Sequence, residues 1–334
     1  MPYDKEDQLA VINLLLSHGA DAYASYPDGR FVFQAIVEER GDPSTVITDL
    51  IHALLNIAAD PLATDNEGRT PQHWLCAFSG RSDETYREAF AALTCHGSAA
   101  ITKTDKQGRT PLHLALVTYS TRSQQSPFAI QHLLSVGADP ADPDPVTGNS
   151  ALHFIAPRLV GEATAAAEAT ALFCSLTSGV DINRQNAAGE APVFVFAAAG
   201  WEATLDPKNK LPSPKYALEH DVTHAALLEA VFADPALGVD LVDATDACGR
   251  TLFHVTAGRD LSAWLSDTTS WDVQTKSVEG AFKKLLELGL DPRREDNELR
   301  TAIDIAVAKD LKGIVMLFSE EAKRSEEEEE RTGM

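Results

Sequence analysis

One stretch decides the fold of this chain: residues 105–113, which read D-K-Q-G-R-T-P-L-H. The same pattern stands 40 residues earlier at 65–73, as D-N-E-G-R-T-P-Q-H, and again at 246–254, as D-A-C-G-R-T-L-F-H. Weaker copies lie at 28–30, 148–153, 186–192 and 296–301. A phrase that returns at a regular spacing is the signature of a repeat architecture. The sequence therefore predicts seven repeat starts.

A second phrase precedes several of these starts. It is an apolar stretch that runs into a glycine and a small acidic tail, as in L-L-S-V-G-A-D-P at 133–140 and L-L-E-L-G-L-D-P at 285–292. Residues 14–21 repeat it, and 174–183 form a looser copy. A glycine just past a helix supplies a left-handed C-cap. That conformation is expected of Gly19, Gly137, Gly179 and Gly289.

Together these two phrases make the chain resemble the ankyrin repeat family over roughly residues 9 to 320. The unit of that family is a β-turn followed by two antiparallel helices, with the signature T-P-L-H-x-A. The resemblance implies an all-α solenoid in which stacked helix pairs share a continuous core. The residues agree, because the glycine permits a positive φ at the tip, the threonine caps the first helix and the proline needs no N–H partner. The histidine is expected to bond the backbone of the neighbouring repeat.

The repeats are longer than the family's unit of about 33 residues. Successive tip glycines are 39, 40, 40, 41 and then 60 residues apart. We expect the excess between the two helices of a unit, with the longest insertions at about 201–222 and 259–275. Trp201, Trp264 and Trp271 lie in or beside these insertions. They are interpreted either as core fillers or as aromatic anchors for a partner.

The ends of the chain differ from its middle. Residues 1–25 are predicted to hold an N-terminal half-repeat, 26–324 the seven repeats, and 325–334 an acidic tail. The tail contains the run Glu326–Glu330 and is expected to be solvated or disordered. The missing first helix at the start raises the hypothesis that the chain is a fragment of a longer protein.

Composition narrows the class of partner and the compartment. Of 334 residues, 28 are Lys or Arg and 50 are Asp or Glu, a net charge of −22 that disfavours nucleic acid and favours a basic protein. No apolar run approaches the ~18 residues of a membrane span. The four cysteines lack C-x-x-C spacing, so a reducing compartment, cytoplasm or nucleus, is expected. Cys76 and Cys174 are predicted to lie in the core and Cys248 at an exposed tip.

Motifs of catalysis are absent from the sequence: there is no phosphate-binding loop, zinc-protease helix or nucleophile elbow. His220 and His224 could share a helix face and a metal, but no third ligand accompanies them, and surface residues are the alternative. The recurrent histidines are interpreted as structural; they are His73, His113, His153 and His254. We therefore expect no enzyme activity, no cofactor and no metal.

The leading hypothesis for function is a non-catalytic module, a monomer that binds a protein partner on its concave face. In the ankyrin family, such contacts come from the residues flanking the tip glycine and from the exposed end of the first helix. Carried over to this sequence, they are Asn66, Glu67, Arg69, Phe78, Lys106, Gln107, Arg109, Tyr119, Asn149, Arg158, Glu190, Trp201, Arg250 and Arg259. Asn183 matches a position that is sometimes hydroxylated in the family, and a structural role is the alternative.

Two other functions stay open at this point. The acidity of the chain also suits an escort chaperone for a very basic client protein. The missing half-repeat also suits a regulatory or targeting part of a larger enzyme.

Overall fold

A computed structural model describes most of the repeat region. It covers residues 62–77, 84–94, 99–121, 126–159, 163–177, 179–198, 238–258 and 268–319, with positions 10, 11, 13–15, 17–21, 27, 228 and 232. The chain forms two compact units, Met1–Val146 and Thr147–Met334. Within the described residues the regular structure is helical and contains no strand, so the predicted all-α fold is confirmed.

The described helices of the first unit form two consecutive repeats. They are α1 (Pro71–Ala77), α2 (Glu84–Thr94), α3 (Ala99–Thr102), α4 (Pro111–Thr121) and α5 (Phe128–Ser135). The first helices α1 and α4 pack side by side, α2 packs on α1, and α5 packs on α4. Leu75, Phe90, Leu116 and Ile130 are fully buried between them. Each pair thus covers its apolar face with its neighbour.

The second unit continues the pattern over further repeats. Its helices are α6 (Ala151–Ile155, followed by a 3-10 turn, Ala156–Leu159), α7 (Ala163–Leu176), α8 (Pro192–Ala198), α9 (Leu252–Ala257), α10 (Thr268–Glu287), α11 (Ala302–Ala308) and a last helix at 312–319. The first helices α6, α8, α9 and α11 pack in that order, each against the next.

Two groups of phenylalanines lie in the core of this second unit. Phe232 lies between Phe173 and Phe196, with ring centroids 5.5 and 4.9 Å away. Phe282 of α10 lies in the same way between Phe253 and Phe318, at 4.5 and 5.4 Å. Such pairs of rings contribute stability beyond their buried area.

Two expectations about the connections are corrected. The predicted insertion at 259–275 is a loop only in part, because α10 begins at Thr268 and runs for 20 residues. The extra residues therefore lengthen the second helix of this repeat. Gly19, Gly137 and Gly289 have the expected positive φ, but Gly179 does not. There the N–H groups of Gly179 and Val180 both bond the carbonyl of Leu176, which closes the helix without a left-handed residue.

The ends of the chain and the longest insertion are described only in part. Described positions between 10 and 17 are helical, as expected for the half-repeat. The insertion at 201–222 and the tail at 325–334 lie outside the described residues. The domain boundaries stay predictions.

Candidate functional site

Four of the described repeat starts fold into a tight tip that is held by the first aspartate. In the tip at 105–109, Asp105 Oδ1 accepts the N–H groups of Gln107 and Arg109, both at 2.9 Å. Gly108 has a φ of 78°, and its N–H bonds the Asp105 carbonyl at 2.9 Å. The tips that start at Asp65, Asp246 and Asp296 accept the same pair of N–H groups. The turn is therefore rigid before any partner arrives.

Successive tips are joined through their backbones. In the first unit, the Lys106 N–H donates to the Glu67 carbonyl at 2.8 Å. In the second unit, the Ala187, Ala247 and Asn297 N–H groups donate to the carbonyls of Thr147, Ala188 and Cys248 at 2.9, 3.2 and 2.9 Å. Within each unit the tips thus form a regular row.

Gly68 serves this row as well as the turn. A Cβ added at Gly68 would lie 3.1 Å from Lys106 N in the next tip. Only glycine combines a positive φ with such a close approach.

The two residues before the tip glycine point away from this framework. Asn66, Glu67, Lys106 and Gln107 are exposed in the first unit, and Ala187, Ala188, Ala247 and Cys248 in the second. We call the exposed pairs of the first unit, Asn66, Glu67, Lys106 and Gln107, the tip face. Backbone groups and the aspartate make the turn, and backbone hydrogen bonds join successive tips. The side chains of the tip face can therefore differ between repeats without disturbing either.

The other predicted partner residues are half-buried, outside the described residues or, in two cases, buried. Half-buried positions beside the tips are Arg69, Arg109, Asn149, Glu190 and Arg250. Phe78, Trp201 and Arg259 lie outside the described residues, as do Trp264, His220 and His224. The side chain of Trp271 is not described either.

Tyr119 and Arg158 are corrections, because both were expected at exposed helix ends. They are only 3% and 5% exposed. Helix α4 runs to Thr121, so Tyr119 still lies inside the packed helix, and Arg158 lies in the buried 3-10 turn after α6. Neither side chain presents a surface to a partner in this conformation.

Ion pairs inside the tips occupy most tip arginines. The Arg109 guanidinium bonds Asp105 Oδ2 at 2.9 Å, and Arg250 bonds Asp246 Oδ2 at 2.6 Å. Burial would raise the pKa of Asp105, but the hydrogen bonds from the backbone and side chain of Arg109 hold that pKa below its usual range. The guanidinium groups of these arginines therefore stabilise the turn.

The recurrent histidines have the structural role that was predicted. His73 Nδ1 accepts the Thr70 N–H at 3.1 Å, and its Nε2 donates to the carbonyl of Arg109 in the next repeat at 3.0 Å. His113, His153 and His254 make the corresponding pair of bonds. Both ring nitrogens are thus engaged, and none is left for a metal. In the part of the chain that is described, no group of three or more His, Cys, Asp or Glu could hold a metal ion.

The cysteines are placed as predicted in two instances of three. Cys76 is buried, and burial raises the pKa of its thiol. Cys248 is exposed at its tip, as expected. Cys174 was expected in the core and is exposed, because it lies on the outer side of α7 while its neighbours Leu172 and Phe173 point inward.

Asn183 has a structural partner in the next repeat. Its Nδ2 donates to the Gly238 carbonyl at 2.8 Å, and its Oδ1 accepts the Asp240 N–H at 2.9 Å. The side chain joins two loops, in agreement with the structural alternative.

Comparison with solved structures decides the fold. The human ASB11 ankyrin repeat domain matches 86% of this chain and 97% of its own, with a TM-score of 0.53 at 15% sequence identity. The fold is that of the ankyrin repeat. The resemblance seen in the sequence is confirmed at the level of the fold. The ankyrin repeat domain of Bcl-3 aligns over 86% of this chain and 99% of its own, at a TM-score of 0.49 and 16% identity.

Sequence comparison adds a likeness over part of the chain. Rabankyrin-5 of Mus musculus is 30% identical over 176 residues, which is 48% of this chain. The matched region spans 14% of that protein's length. No protein-family model matches the chain. Among the helices of the described residues, none has the length and apolarity needed to cross a bilayer.

One feature of the site was missed in the sequence. Trp74 Nε1 donates to Asp65 Oδ2 at 2.9 Å, in the place that an arginine takes in other tips. The signal was present, because tryptophan is the one residue with a side-chain hydrogen-bond donor at this position in the described repeats. The residues at the same position in the other described repeats are Leu114, Phe154, Val195, Val255 and Ile305.

Proposed function

We propose that this ankyrin-repeat chain is a non-catalytic protein-interaction module that binds its partner on the tip face. The observation that supports this most is that different residues of a tip hold the turn and present side chains to solvent. Aspartate, glycine and backbone hold the turn, while the side chains of the two residues before the glycine are exposed in the tips at 66–67 and 106–107. Rigid backbone with freely variable side chains is what binding loops on a scaffold require.

The preformed row of tips supports binding for a second reason. Ordering a flexible loop on association opposes binding, and a surface that is rigid in the free protein avoids that loss. The tip-to-tip hydrogen bonds, such as Lys106 N–H to the Glu67 carbonyl, keep neighbouring pairs in register within a unit. A partner can therefore contact several repeats at once.

The finer features of this function are part of the proposal. The partner is a protein, basic over much of its surface because the chain carries a net charge of −22. The module is a monomer in the cytoplasm or nucleus and needs no cofactor. Of the carried-over residues that the structure describes, Asn66, Glu67, Lys106 and Gln107 are the exposed ones, and they form the tip face.

Site-specific photo-crosslinking tests the proposal. Benzoylphenylalanine placed at Gln107 on the tip face, in cell extract, should capture a defined protein. The matched control places the same group at Gln131, which is exposed on the second helix α5 of the same repeat. The proposal predicts capture at 107 and not at 131, and binding of the purified partner should weaken when Lys106 and Gln107 become alanine. Equal capture at both positions, or unchanged binding in the double variant, would argue against the tip face.

A further inference from the structure

In three of the described tips, the arginine after the glycine position pairs with the tip aspartate. In the tips of repeats three, six and seven, Arg109, Arg250 and Arg300 donate from Nε to the tip aspartate Oδ2 at 3.1, 2.6 and 3.0 Å. Their terminal nitrogens complete ion pairs with the same oxygens at 2.9, 2.6 and 2.9 Å. In these tips the guanidinium and the carboxylate neutralise each other.

Repeat two breaks the rule. There the Trp74 indole N–H takes Asp65 Oδ2 at 2.9 Å. The Arg69 guanidinium carbon instead lies 5.4 Å from the centroid of the Trp74 ring. Among the described residues, no carboxylate forms an ion pair with Arg69, and its Nε is buried without a hydrogen-bond partner. Trp74 thus displaces Arg69 from the pairing that the other tip arginines have.

The displaced arginine is placed to be reached from outside. Arg69 is half-buried, and of its three guanidinium nitrogens only Nε is buried without a partner. The two Nη nitrogens are therefore the donors that a ligand can meet. The indole contact holds the guanidinium by a cation–π interaction while leaving its N–H groups unused. A planar guanidinium of this kind suits a carboxylate, which it can bind through two parallel hydrogen bonds.

We propose that Arg69 binds a carboxylate of the protein partner, and that Trp74 is the positioning residue that makes Arg69 available. This rests on the proposed function of the tip face, of which Asn66 and Glu67 are the neighbouring exposed pair. The nearby carboxylates of Asp65 and Glu67 disfavour a doubly charged phosphate more than a single carboxylate. The chain's net charge of −22 also disfavours a long acidic segment. The ligand is thus one Asp or Glu side chain, or a chain's C-terminal carboxylate, in an otherwise neutral or basic stretch.

Peptides selected on the whole 334-residue chain provide the probe. A phage-displayed library of random peptides of about 12 residues is panned on the wild-type chain, and the enriched peptides are synthesised. Each is made with its carboxylate intact, with Glu→Gln or Asp→Asn in its sequence, and with a free or an amidated C-terminus. These arms separate a side-chain carboxylate from a terminal one. Kd is then measured for the wild type, Arg69→Gln and Arg300→Gln.

Arg300→Gln is the matched control, because it removes the same charge from a tip arginine that is already paired with Asp296. Arg69→Gln should weaken binding of carboxylate peptides by about ten- to a hundredfold, and Arg300→Gln by no more than about twofold. Removing the peptide carboxylate should weaken binding to the wild type equally and have little further effect on Arg69→Gln.

Trp74→Phe tests the positioning role without touching the arginine. Phenylalanine lacks the N–H, so Asp65 Oδ2 becomes available to Arg69 and the ordinary tip pair forms. Carboxylate peptides should then bind less tightly although Arg69 is present. Thermal unfolding monitored by circular dichroism shows whether the variant is folded, and Arg69→Gln carries the test if it is not.

The outcomes separate this proposal from the proposed function. Peptides that bind the tip face, and lose affinity in the Lys106 and Gln107 double variant but not in Arg69→Gln, would overturn the role of Arg69 and leave the tip face standing. Tighter, Arg69-dependent binding of phosphoserine peptides would replace the carboxylate by phosphate and overturn the chemistry proposed. Peptides indifferent to every tip variant would count against both.

Discussion

His153 Nε2 donates a hydrogen bond to the carbonyl oxygen of Glu190, 37 residues further along the chain, at 2.8 Å. On the other side of the ring, Nδ1 accepts the Ser150 N–H at 3.1 Å. An N–H can only donate and a carbonyl can only accept, so the ring is neutral, with its proton on Nε2. One side chain thereby caps its own helix and joins it to the next repeat.

This arrangement predicts that acid weakens the fold. Burial lowers the pKa of both His73 and His153 below the ordinary value of 6.5. Below about pH 6.5 the unfolded chain therefore binds more protons than the folded one, and the stability present above that pH is lost as pH falls toward the folded pKa values. Urea midpoints should decrease between about pH 7.5 and about pH 5.

A double variant, His73→Gln with His153→Gln, isolates this effect. It should be less stable than the wild type near neutral pH and show a shallower dependence on pH. The exposed His18→Gln is the control and should leave the pH profile as it was. A profile of the same slope in the double variant would show that other groups govern acid unfolding.

The tip of the last described repeat predicts a stabilising substitution. Leu299 stands where other tips have glycine and has a φ of 60°, which an L-residue adopts at a cost of roughly 1–2 kcal/mol. Leu299→Gly should raise the free energy of unfolding by up to about 1 kcal/mol, since glycine's greater freedom in the unfolded chain offsets part of the gain. Gly68→Ala, with its Cβ 3.1 Å from Lys106 N, should lower it by about 1–2 kcal/mol. Chemical denaturation of both variants measures the contrast.

Gln72 predicts a second stabilising change. Its side chain is 1% exposed, and neither amide atom has a hydrogen-bond partner apart from the Cys76 thiol. The Cys76 thiol one helical turn further on is too weak a hydrogen-bonding group to satisfy the amide. The equivalent residues in two other repeats are Leu112 and Leu152. Gln72→Leu should stabilise the protein by about 1–3 kcal/mol in a urea titration, because it removes an unsatisfied buried amide. A loss of stability would mean that the amide is satisfied in solution.

Truncation of Leu112, in the repeat that follows Gln72, is expected to destabilise the protein. It is 3% exposed in α4, and Leu112→Ala should cost about 2–5 kcal/mol through lost contacts and a residual cavity. Deleting Glu326–Glu330 is the control and should leave the melting temperature nearly unchanged. Differential scanning calorimetry compares the two. A melting temperature that falls equally in both would contradict the view that stability comes from the stacked helix pairs.

Much of this architecture could be predicted from the sequence, because the residues that specify each turn and helix start lie close together in the chain. The D-x-x-G-R-T-P-L-H phrase contains the turn aspartate, the left-handed glycine, the cap and the first turn of a helix within nine residues. Interactions over so short a distance in the chain are dictated by residue type and order. The tips, the first helices, the structural histidines and the exposed Cys248 were predictable for that reason.

Other features depended on residues far apart in the chain. Tyr119 and Arg158 lie at positions that the repeat pattern marks as exposed, but the overlong repeats extend α4 and add a 3-10 turn, and both side chains become buried. The length of α10 and the φ angle of Gly179 were likewise not specified by any sequence motif.

The sequence by itself determined the repeat, its tip and the helix that follows, since these depend on neighbours a few residues away. Only the tertiary structure decided which arginine keeps a carboxylate partner. Trp74 and Asp65 are nine residues apart, and whether an indole N–H or a guanidinium reaches Asp65 Oδ2 depends on how α1 packs over its own tip. The indole N–H occupies the place at Asp65 Oδ2 that a guanidinium occupies in other tips, so the packing of one side chain decided the availability of Arg69.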